Sequence, residues 1–391
     1  MMTMLLWLVC LGVALPVGIL ALECFVGTLA SPGRVETPSV PPFMVLMPAH
    51  DEAAGIERSV ADVLAQLRPC DRLLVVADNC TDDTAAIAER LGACVIERHD
   101  PALRGKSHAL EFGRAFMASD PFLHGAALAV VIIVDADCSP EPGALWRLVA
   151  TAVARDAVVQ GAYLLTPPPE ATPVVQMSCY AFMVKNLIRQ IALRRLAGVA
   201  LLQGSGMAFP MSVFQRIDWS GSSLVEDLDM GLRLLLDGTR VTFDETATFL
   251  SPASSQGGTA SQRRRWEHGM MQSMHMFVPG LLKIALLGRP RWIFLALDQI
   301  IPPTILLTLT AGVMTGMALA VGGLATPVVI LLLCDFALAA GLFVAWIQYG
   351  RALLPWRNIV ASARYIIWKL PIFVQFVTRR QRQWIRTDRV P

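Results

Sequence analysis

Three long apolar runs constrain the fold of this 391-residue chain most strongly, because each is long enough to cross a lipid bilayer. They cover residues 1–22, 292–320 and 326–347. Only 16% of the residues are charged, whereas soluble domains carry roughly 25%. We therefore predict a transmembrane anchor in residues 1–30 and a second membrane region in residues 278–391.

The basic residues predict how the chain is oriented. No Lys or Arg precedes the first apolar run, but Arg34 follows it, so the positive-inside rule places the next domain in the cytoplasm. A secretory signal would need a basic segment before its apolar run, and we favour an uncleaved anchor over a signal or a buried helix. Residues 278–391 are expected to hold two spans, an interfacial helix and a basic tail.

Residues 42–277 are predicted to form a single α/β domain, because short apolar runs alternate with helical patterns at its start. A late strand is expected at residues 240–243. Earlier strands are expected at residues 43–47, 72–77, 94–96 and 127–134, with helices at residues 53–67, 81–91 and 106–118 between them. This order is typical of a parallel sheet that is covered on both faces. Ligands of such sheets bind beyond the carboxyl ends of the strands, where this chain places polar residues.

Two acidic pairs are candidates for chemistry. Asp135 and Asp137 follow the most apolar strand, and two carboxylates so placed can share Mg²⁺ or Mn²⁺ with diphosphate oxygens. The alternative is a solvated turn that caps the next helix. Glu226 and Asp227 begin a helix predicted at residues 226–236, where a carboxylate can act as a general base or simply cap the helix.

Asp78 and Lys106 are candidates for nucleotide binding. The Asp78 carboxylate follows a strand and could accept the ring N–H of a uracil, although a second capping acid is the alternative. Lys106 begins a helix, where its charge opposes the helix dipole unless an anionic phosphate binds there. A solvent-facing lysine is the simpler interpretation of Lys106.

The segment 262–266 combines an amide, guanidinium groups and an indole. Arginine can hold phosphate through two hydrogen bonds, and the Trp266 ring offers a flat face to a sugar. A basic patch for lipid headgroups is the alternative. The net charge of +2 is too small to indicate nucleic-acid binding, and the eight scattered cysteines contain no C-x-x-C pair that would indicate zinc.

Taken in order, these motifs resemble those of membrane-bound inverting glycosyltransferases of family 2, the group that includes cellulose, chitin and hyaluronan synthases and bacterial exopolysaccharide enzymes. The matching segments are Pro48-Ala49-His50-Asp51-Glu52 (P-x-x-N-E), Val76–Thr84 (D-D-G-S-x-D-x-T, with Ala77 at the first Asp), Arg104-Gly105-Lys106, Asp135-Ala136-Asp137 (D-x-D), Glu226-Asp227 (E-D) and Gln262–Trp266 (Q-x-x-R-W).

The resemblance implies a GT-A nucleotide-diphospho-sugar transferase domain with flanking transmembrane helices. It implies that Asp227 is the catalytic base and that Asp137 and Asp135 bind Mg²⁺ or Mn²⁺. The implied donor contacts are Pro48, His50, Glu52, Asp78, Lys106, Asp135, Gln262 and Arg265. The implied acceptor contacts are Glu226, Trp266, Gly204 and Ser205.

The expected reaction is the inverting transfer of a sugar from a nucleotide sugar, with UDP favoured, to a membrane-associated glycan or lipid-linked acceptor at a bacterial inner membrane. Expected partners are this donor, the acceptor, membrane lipids and a polysaccharide export assembly, but no nucleic acid. Alternatives are a polyprenyl-phosphate or ceramide glycosyltransferase and a non-catalytic scaffold. The few C-terminal spans argue against a processive, secreting synthase.

Overall fold

The computed structural model describes residues 2–29, 40–119, 128–219, 225–254 and 256–359. The chain divides into two compact units, each made of separate stretches of sequence. Unit 1 comprises Met1–Ser31, Pro167–Val199 and Ala253–Val390. Unit 2 comprises Pro32–Thr166 and Ala200–Pro252.

Unit 2 is built on an eight-stranded sheet. The strands are β1 (Phe43–Ala49), β2 (Arg72–Asp78), β3 (Cys94–Arg98), β4 (Val130–Ile133), β5 (Ser139–Pro140), β6 (Val158–Thr166), β7 (Met207–Pro210) and β8 (Val241–Pro252). They lie in the order β3-β2-β1-β4-β7-β6-β8-β5.

The four strands at one side of this sheet run parallel, as predicted: β1 pairs with β2 and β4, and β2 pairs with β3. Strands β1, β2 and β4 are almost entirely buried and apolar, which is typical of parallel strands with both faces covered. The other half is mixed, because β7 is antiparallel to β4 and to β6 while β6 is parallel to β8.

The helices of unit 2 connect these strands and start at the sheet edge. Their bounds are Ile56–Leu64, Thr84–Arg90, Lys106–Ser119, Ala144–Arg155, Met211–Phe214 and Glu226–Leu236. The first two begin three residues later than predicted. In each case the residues before the helix, such as Glu52 and Asp82, form hydrogen bonds between neighbouring loops instead.

Strand β8 is much longer than the predicted 240–243. Polar residues obscured it in the sequence, and the structure shows why they are tolerated. Asp244 is buried, accepts a hydrogen bond from the Thr151 hydroxyl at 2.6 Å, and accepts another from the Thr246 backbone at 3.0 Å. The pairing with β6 shifts register at Gly161/Ala162, so the strand continues through this irregularity.

Unit 1 is helical. Its elements are the helices Met2–Thr28, Pro173–Met183, Arg189–Leu196, Gln256–Leu286, Trp292–Gln299, Thr304–Gly322, Thr326–Ala345 and Trp356–Ile359, with π-helical turns at Val184–Ile188 and Trp346–Gly350. By length and composition, three helices of the described chain could cross a membrane: Thr3–Thr28, Thr304–Gly322 and Thr326–Gly350.

The apolar run 292–320 is interrupted at the Pro302-Pro303 break that its sequence contains. It divides into Trp292–Gln299 and Thr304–Gly322, because Pro302 and Pro303 cannot donate helical hydrogen bonds. Of the segment predicted to form the interfacial helix, only Trp356–Ile359 is described. The basic tail lies outside the described residues.

A buried ionic cluster connects three helices of unit 1. The Arg189 guanidinium lies 3.0 Å from the Glu23 carboxylate and also contacts the Asp298 carboxylate through two of its nitrogens. All three residues are at most 6% exposed. The cluster therefore links the first apolar helix to the helices Arg189–Leu196 and Trp292–Gln299 through charge-assisted hydrogen bonds.

Candidate active site

The loops after β1 and β2 form one hydrogen-bonded surface at the carboxyl edge of the sheet. His50 Nδ1 lies 2.6 Å from the Asp78 backbone oxygen, so this ring nitrogen donates to it. Asp51 accepts a hydrogen bond from the Thr81 backbone at 2.6 Å. The Glu52 backbone N–H donates to the Thr84 hydroxyl at 2.8 Å. These bonds fix the two loops relative to each other.

Pro48 lies at the end of β1, in register with Val76 of β2. The side chain of Pro48 is half-buried beside the loop that carries His50 and Glu52. The predicted donor-contact residues of this first motif thus lie next to Asp78 at one edge of the sheet.

Asp78 is buried at the end of β2, and one of its carboxylate oxygens is already used. Its Oδ1 accepts hydrogen bonds from Arg98 Nη1 at 2.6 Å and from Asn79 Nδ2 at 3.0 Å. Among the described residues, no donor contacts its Oδ2. Arg98 was missed by the sequence analysis, although its position opposite Asp78 follows from the parallel register of β2 and β3.

Lys106 brings the two acidic motifs together. Its Nζ lies 2.7 Å from Asp135 Oδ1 and 3.7 Å from Asp227 Oδ1, and it also donates to the Gly204 backbone oxygen. Burial lowers the pKa of Lys106, but the charges of Asp135 and Asp227 outweigh this effect and raise it above its ordinary value. The side chain is therefore a permanent cation at physiological pH.

The D-x-D segment is held from both sides of its backbone. Ser59 donates a hydrogen bond to the Ala136 backbone oxygen, and the Ser205 hydroxyl accepts one from the Asp135 backbone at 3.1 Å. Asp137 is half-buried. Burial raises the pKa of Tyr163, and the negative charge of Asp137 raises it further. The Asp137 carboxylate is therefore close enough to influence the buried Tyr163 hydroxyl.

The loop 203–206 is anchored by Gln160, which is fully buried in β6. The Gln160 amide accepts a hydrogen bond from the Gln203 backbone at 2.8 Å and donates to the Ser205 backbone oxygen at 2.8 Å. Gly204 has a φ of +103°, and a Cβ there would lie 3.0 Å from Asp227 Oδ2. Sequence reasoning missed Gln160 because a single amide within an apolar strand gives no signal.

Glu226 and Asp227 contact neighbouring residues of one other helix. Ser107 donates a hydrogen bond to the Glu226 carboxylate, while Lys106 pairs with Asp227. The first turns of the helices Lys106–Ser119 and Glu226–Leu236 are therefore coupled by two polar contacts. Ser107 was also missed, because nothing in its sequence context indicates a partner 119 positions away.

The Q-x-x-R-W segment lies in unit 1, on the helix Gln256–Leu286. Trp266 packs against Phe182, with ring centroids 5.4 Å apart. The side chains of Gln262 and Arg265 lie outside the described part of the structure. Their predicted contacts with the diphosphate therefore stay predictions.

Two groups of residues are candidate metal ligands: one is a cluster in the structure, and the other is the D-x-D pair indicated by the sequence. Ligand atoms of Asp51, Cys80 and Asp82 lie within 4.8 Å of one another. Both carboxylates of this group already accept hydrogen bonds from the loop, and a thiol is a poor ligand for Mg²⁺ or Mn²⁺. The Asp135 carboxylate instead already holds a cation, the Lys106 ammonium, so its surroundings suit positive charge. We consider the D-x-D segment the better fit.

Comparison with known proteins is consistent with this geometry. The family model "Glycosyltransferase like family 2" matches residues 41–269. The probable glycosyltransferase YdaM of Bacillus subtilis is 25% identical over 277 residues, which are 67% of this chain and 62% of YdaM. An uncharacterized glycosyltransferase of Mycobacterium tuberculosis is 36% identical over 106 residues, or 27% of this chain and 41% of that protein. The matches thus span less than two thirds of either relative.

Among solved structures, the chain is similar to the mannosyltransferase PcManGT from Pyrobaculum calidifontis, determined in complex with GDP-Man and Mn²⁺. The TM-score is 0.58 at 19% identity, and the match covers 96% of this chain and 100% of that one. The predicted GT-A fold is confirmed by this likeness, and the chain belongs to glycosyltransferase-like family 2.

Proposed function

We propose that this protein transfers a sugar from a UDP-sugar to a membrane-associated glycan or lipid-linked acceptor, with inversion at the anomeric carbon. The observation that carries the proposal is the meeting of Asp135, Asp227 and Lys106 at one point of unit 2. That arrangement brings a candidate metal ligand, a candidate base and a phosphate-binding cation within reach of one diphosphate sugar.

The surroundings of Asp78 support uracil as the base. Among the residues that the structure describes, Arg98 and Asn79 donate to Oδ1 alone, which leaves Oδ2 open to a further hydrogen bond. Uracil presents a single N–H between two carbonyl groups, which suits one acceptor oxygen. Guanine presents two adjacent N–H donors, which would best use both oxygens of a carboxylate. A single open oxygen therefore favours UDP over GDP.

Asp135 and Asp137 are the proposed ligands of Mg²⁺ or Mn²⁺. A cation bound there would neutralise the charge that develops on the leaving diphosphate. Pro48, His50 and Glu52 would shape the donor site next to Asp78, and Gln262 and Arg265 would hold the diphosphate. In this scheme Lys106 contributes a direct contact to phosphate.

Asp227 is the proposed general base. It would remove the proton from the acceptor hydroxyl while that oxygen attacks the anomeric carbon, and one such displacement inverts the carbon. Glu226, Gly204 and Ser205 would position the acceptor, and Trp266 would stack against one of its rings. Ser205 has a second task, since its hydroxyl accepts the Asp135 backbone N–H.

The candidate membrane helices support an acceptor that is attached to or made at the membrane. We propose that the transferase domain, residues 42–277, is cytoplasmic and that the protein resides in a bacterial inner membrane. Cell-surface polysaccharide or glycolipid synthesis is the proposed process, with export components as proposed partners.

Purified full-length protein in detergent tests this function. It would be supplied with a membrane lipid extract and a panel of UDP- and GDP-sugars, and nucleotide release would be measured with and without EDTA. We expect release of UDP from at least one donor, and its loss on EDTA treatment. No release from any donor would contradict the proposal and favour a scaffold, whereas preferential release of GDP would contradict the uracil assignment.

A further inference from the structure

We propose that Lys106 is a positioning residue that competes with the divalent cation for Asp135, so that the cation binds tightly only when a donor diphosphate draws Lys106 away. The inference rests on the proposed function, because it assumes that Asp135 is a metal ligand. It goes further by making one side chain responsible for coupling donor binding to cation binding.

The contacts of the ammonium group carry the first step. Lys106 Nζ is 2.7 Å from Asp135 Oδ1, the separation of a short charge-assisted hydrogen bond. A Mg²⁺ ion would bind the same oxygen at about 2.1 Å. Two cations on one carboxylate oxygen would be close enough for strong repulsion in a partly buried site. Lys106 and the metal therefore compete for Asp135.

Contacts with the protein hold the Lys106 ammonium group in place when no donor is bound. Asp227 Oδ1 lies 3.7 Å from Nζ, and the Gly204 backbone oxygen accepts a hydrogen bond from it. The side chain is only 17% exposed, so water replaces these contacts poorly. Three different elements thus share one cation, and a metal that binds Asp135 Oδ1 must first displace it.

The chemistry of lysine makes such a displacement feasible. Lysine carries a compact charge on a flexible stem, whereas arginine would be fixed by its planar group. Lys106 begins the helix Lys106–Ser119, whose first N–H groups favour a phosphate beside it. A diphosphate at this position offers the ammonium a new partner and frees Asp135 for the metal.

A permanent structural ion pair predicts a different behaviour. If Lys106 only stabilises the fold around Asp135 and Asp227, its removal disorders the two carboxylates and weakens cation binding. If Lys106 competes with the cation, its removal leaves the carboxylates more negative and strengthens cation binding. The sign of the change in metal affinity distinguishes the two roles.

Binding of Mn²⁺ alone to the full-length protein in detergent gives this sign, with free Mn²⁺ measured by electron paramagnetic resonance. We expect Lys106→Met to bind Mn²⁺ about tenfold more tightly than wild type, within the usual range of coupling between sites. Lys106→Arg keeps the charge and is expected to bind as weakly as wild type. Lys283→Met removes an exposed lysine of unit 1 and serves as the matched control. Unchanged or weaker binding by Lys106→Met would overturn the proposal.

Two additions keep the result decisive. Lys106→Gln removes the charge but keeps an N–H donor on a shorter polar side chain, and it replaces the methionine variant if thermal denaturation shows that variant to be unfolded. Asp135→Asn tests the assumption that Asp135 is a metal ligand. If it leaves Mn²⁺ binding intact, the metal assignment of the proposed function is wrong. If it abolishes binding while Lys106→Met and Lys106→Gln bind no more tightly, only the competition is wrong.

Discussion

Asp227 is placed by its neighbours on two sides. Its Oδ1 faces the Lys106 ammonium at 3.7 Å, and a Cβ on residue 204 would lie only 3.0 Å from its Oδ2. A glycine at 204 therefore leaves space for the carboxylate that we assign as the base. The residue next to it, Glu226, is held by Ser107 and helps to fix the start of the helix.

Replacement of Asp227 by Asn should lower turnover by about 10²–10⁴-fold, because the amide cannot accept the proton of the acceptor hydroxyl. Binding of UDP should be retained, since Asp78 and its neighbours are unchanged. Sugar transfer and UDP binding would be measured side by side. Asp237→Asn, at the exposed far end of the same helix, is the control, and a fully active Asp227→Asn enzyme would exclude the assignment.

Gly206 lies at a position where any side chain would be strained. It has a φ of +68°, and a Cβ there would lie 2.5 Å from the Phe249 ring. Gly206→Ala should reduce the free energy of unfolding by roughly 2–5 kcal/mol, since left-handed backbone strain and overpacking both apply. Gly238→Ala, with a φ of +87° and nothing within 4 Å, should cost only about 1–2 kcal/mol. Equal losses in denaturant unfolding would show that the Phe249 contact is unimportant.

At the level of elements, periodicity and burial made part of the fold predictable. Strands β1, β2 and β4 read as apolar runs because both of their faces are covered, and the helix Glu226–Leu236 was predicted at its observed bounds. The two-residue β5 and most of β8 gave no such pattern. Their positions depend on pairing with distant strands, which local sequence does not encode.

The candidate site was predictable only where a motif marked it. Asp78, Asp135 and Asp227 each follow or begin a recognisable element, and sequence order alone indicated one edge of a sheet. Arg98 and Gln160 act through contacts across strands, at 20 and 43 to 45 positions of separation, and were not foreseen. Such partners emerge from register and packing rather than from any local pattern.

The ionic cluster around Arg189 allows a prediction about three helices. Arg189→Met would leave Glu23 and Asp298 buried without their shared cation, and should destabilise the protein by about 3–5 kcal/mol. Additional Glu23→Gln and Asp298→Asn changes should restore much of the loss. Thermal unfolding in detergent would measure both effects, with exposed Arg195→Met as the control. A stable Arg189→Met single variant would show that the ionic cluster does not stabilise the packing of the three helices.

For the whole molecule, the three candidate spans of the described chain predict its topology. The turn near Leu324 connects the second and third spans and should lie outside the cytoplasm, while Pro355, beyond the third, should lie inside. Alkaline phosphatase fused after Leu324 should therefore be active, and a green fluorescent protein fused after Pro355 should fluoresce. The opposite pattern would place the transferase domain on the outer side.

The chain leaves and re-enters unit 2 between Thr166 and Ala200, and this has a practical consequence for anyone seeking a soluble fragment. A cut at residues 42 and 277 would retain Arg189 but discard Glu23 and Asp298, its carboxylate partners. The excised fragment would then expose apolar helical surface and leave the Arg189 charge without its carboxylate partners. We expect such a fragment to precipitate. A better truncation would also remove residues 167–199. Thr166 pairs with Pro252 whereas Ala200 donates to Val241 at the other end of β8, so the replacement linker must span the length of that strand.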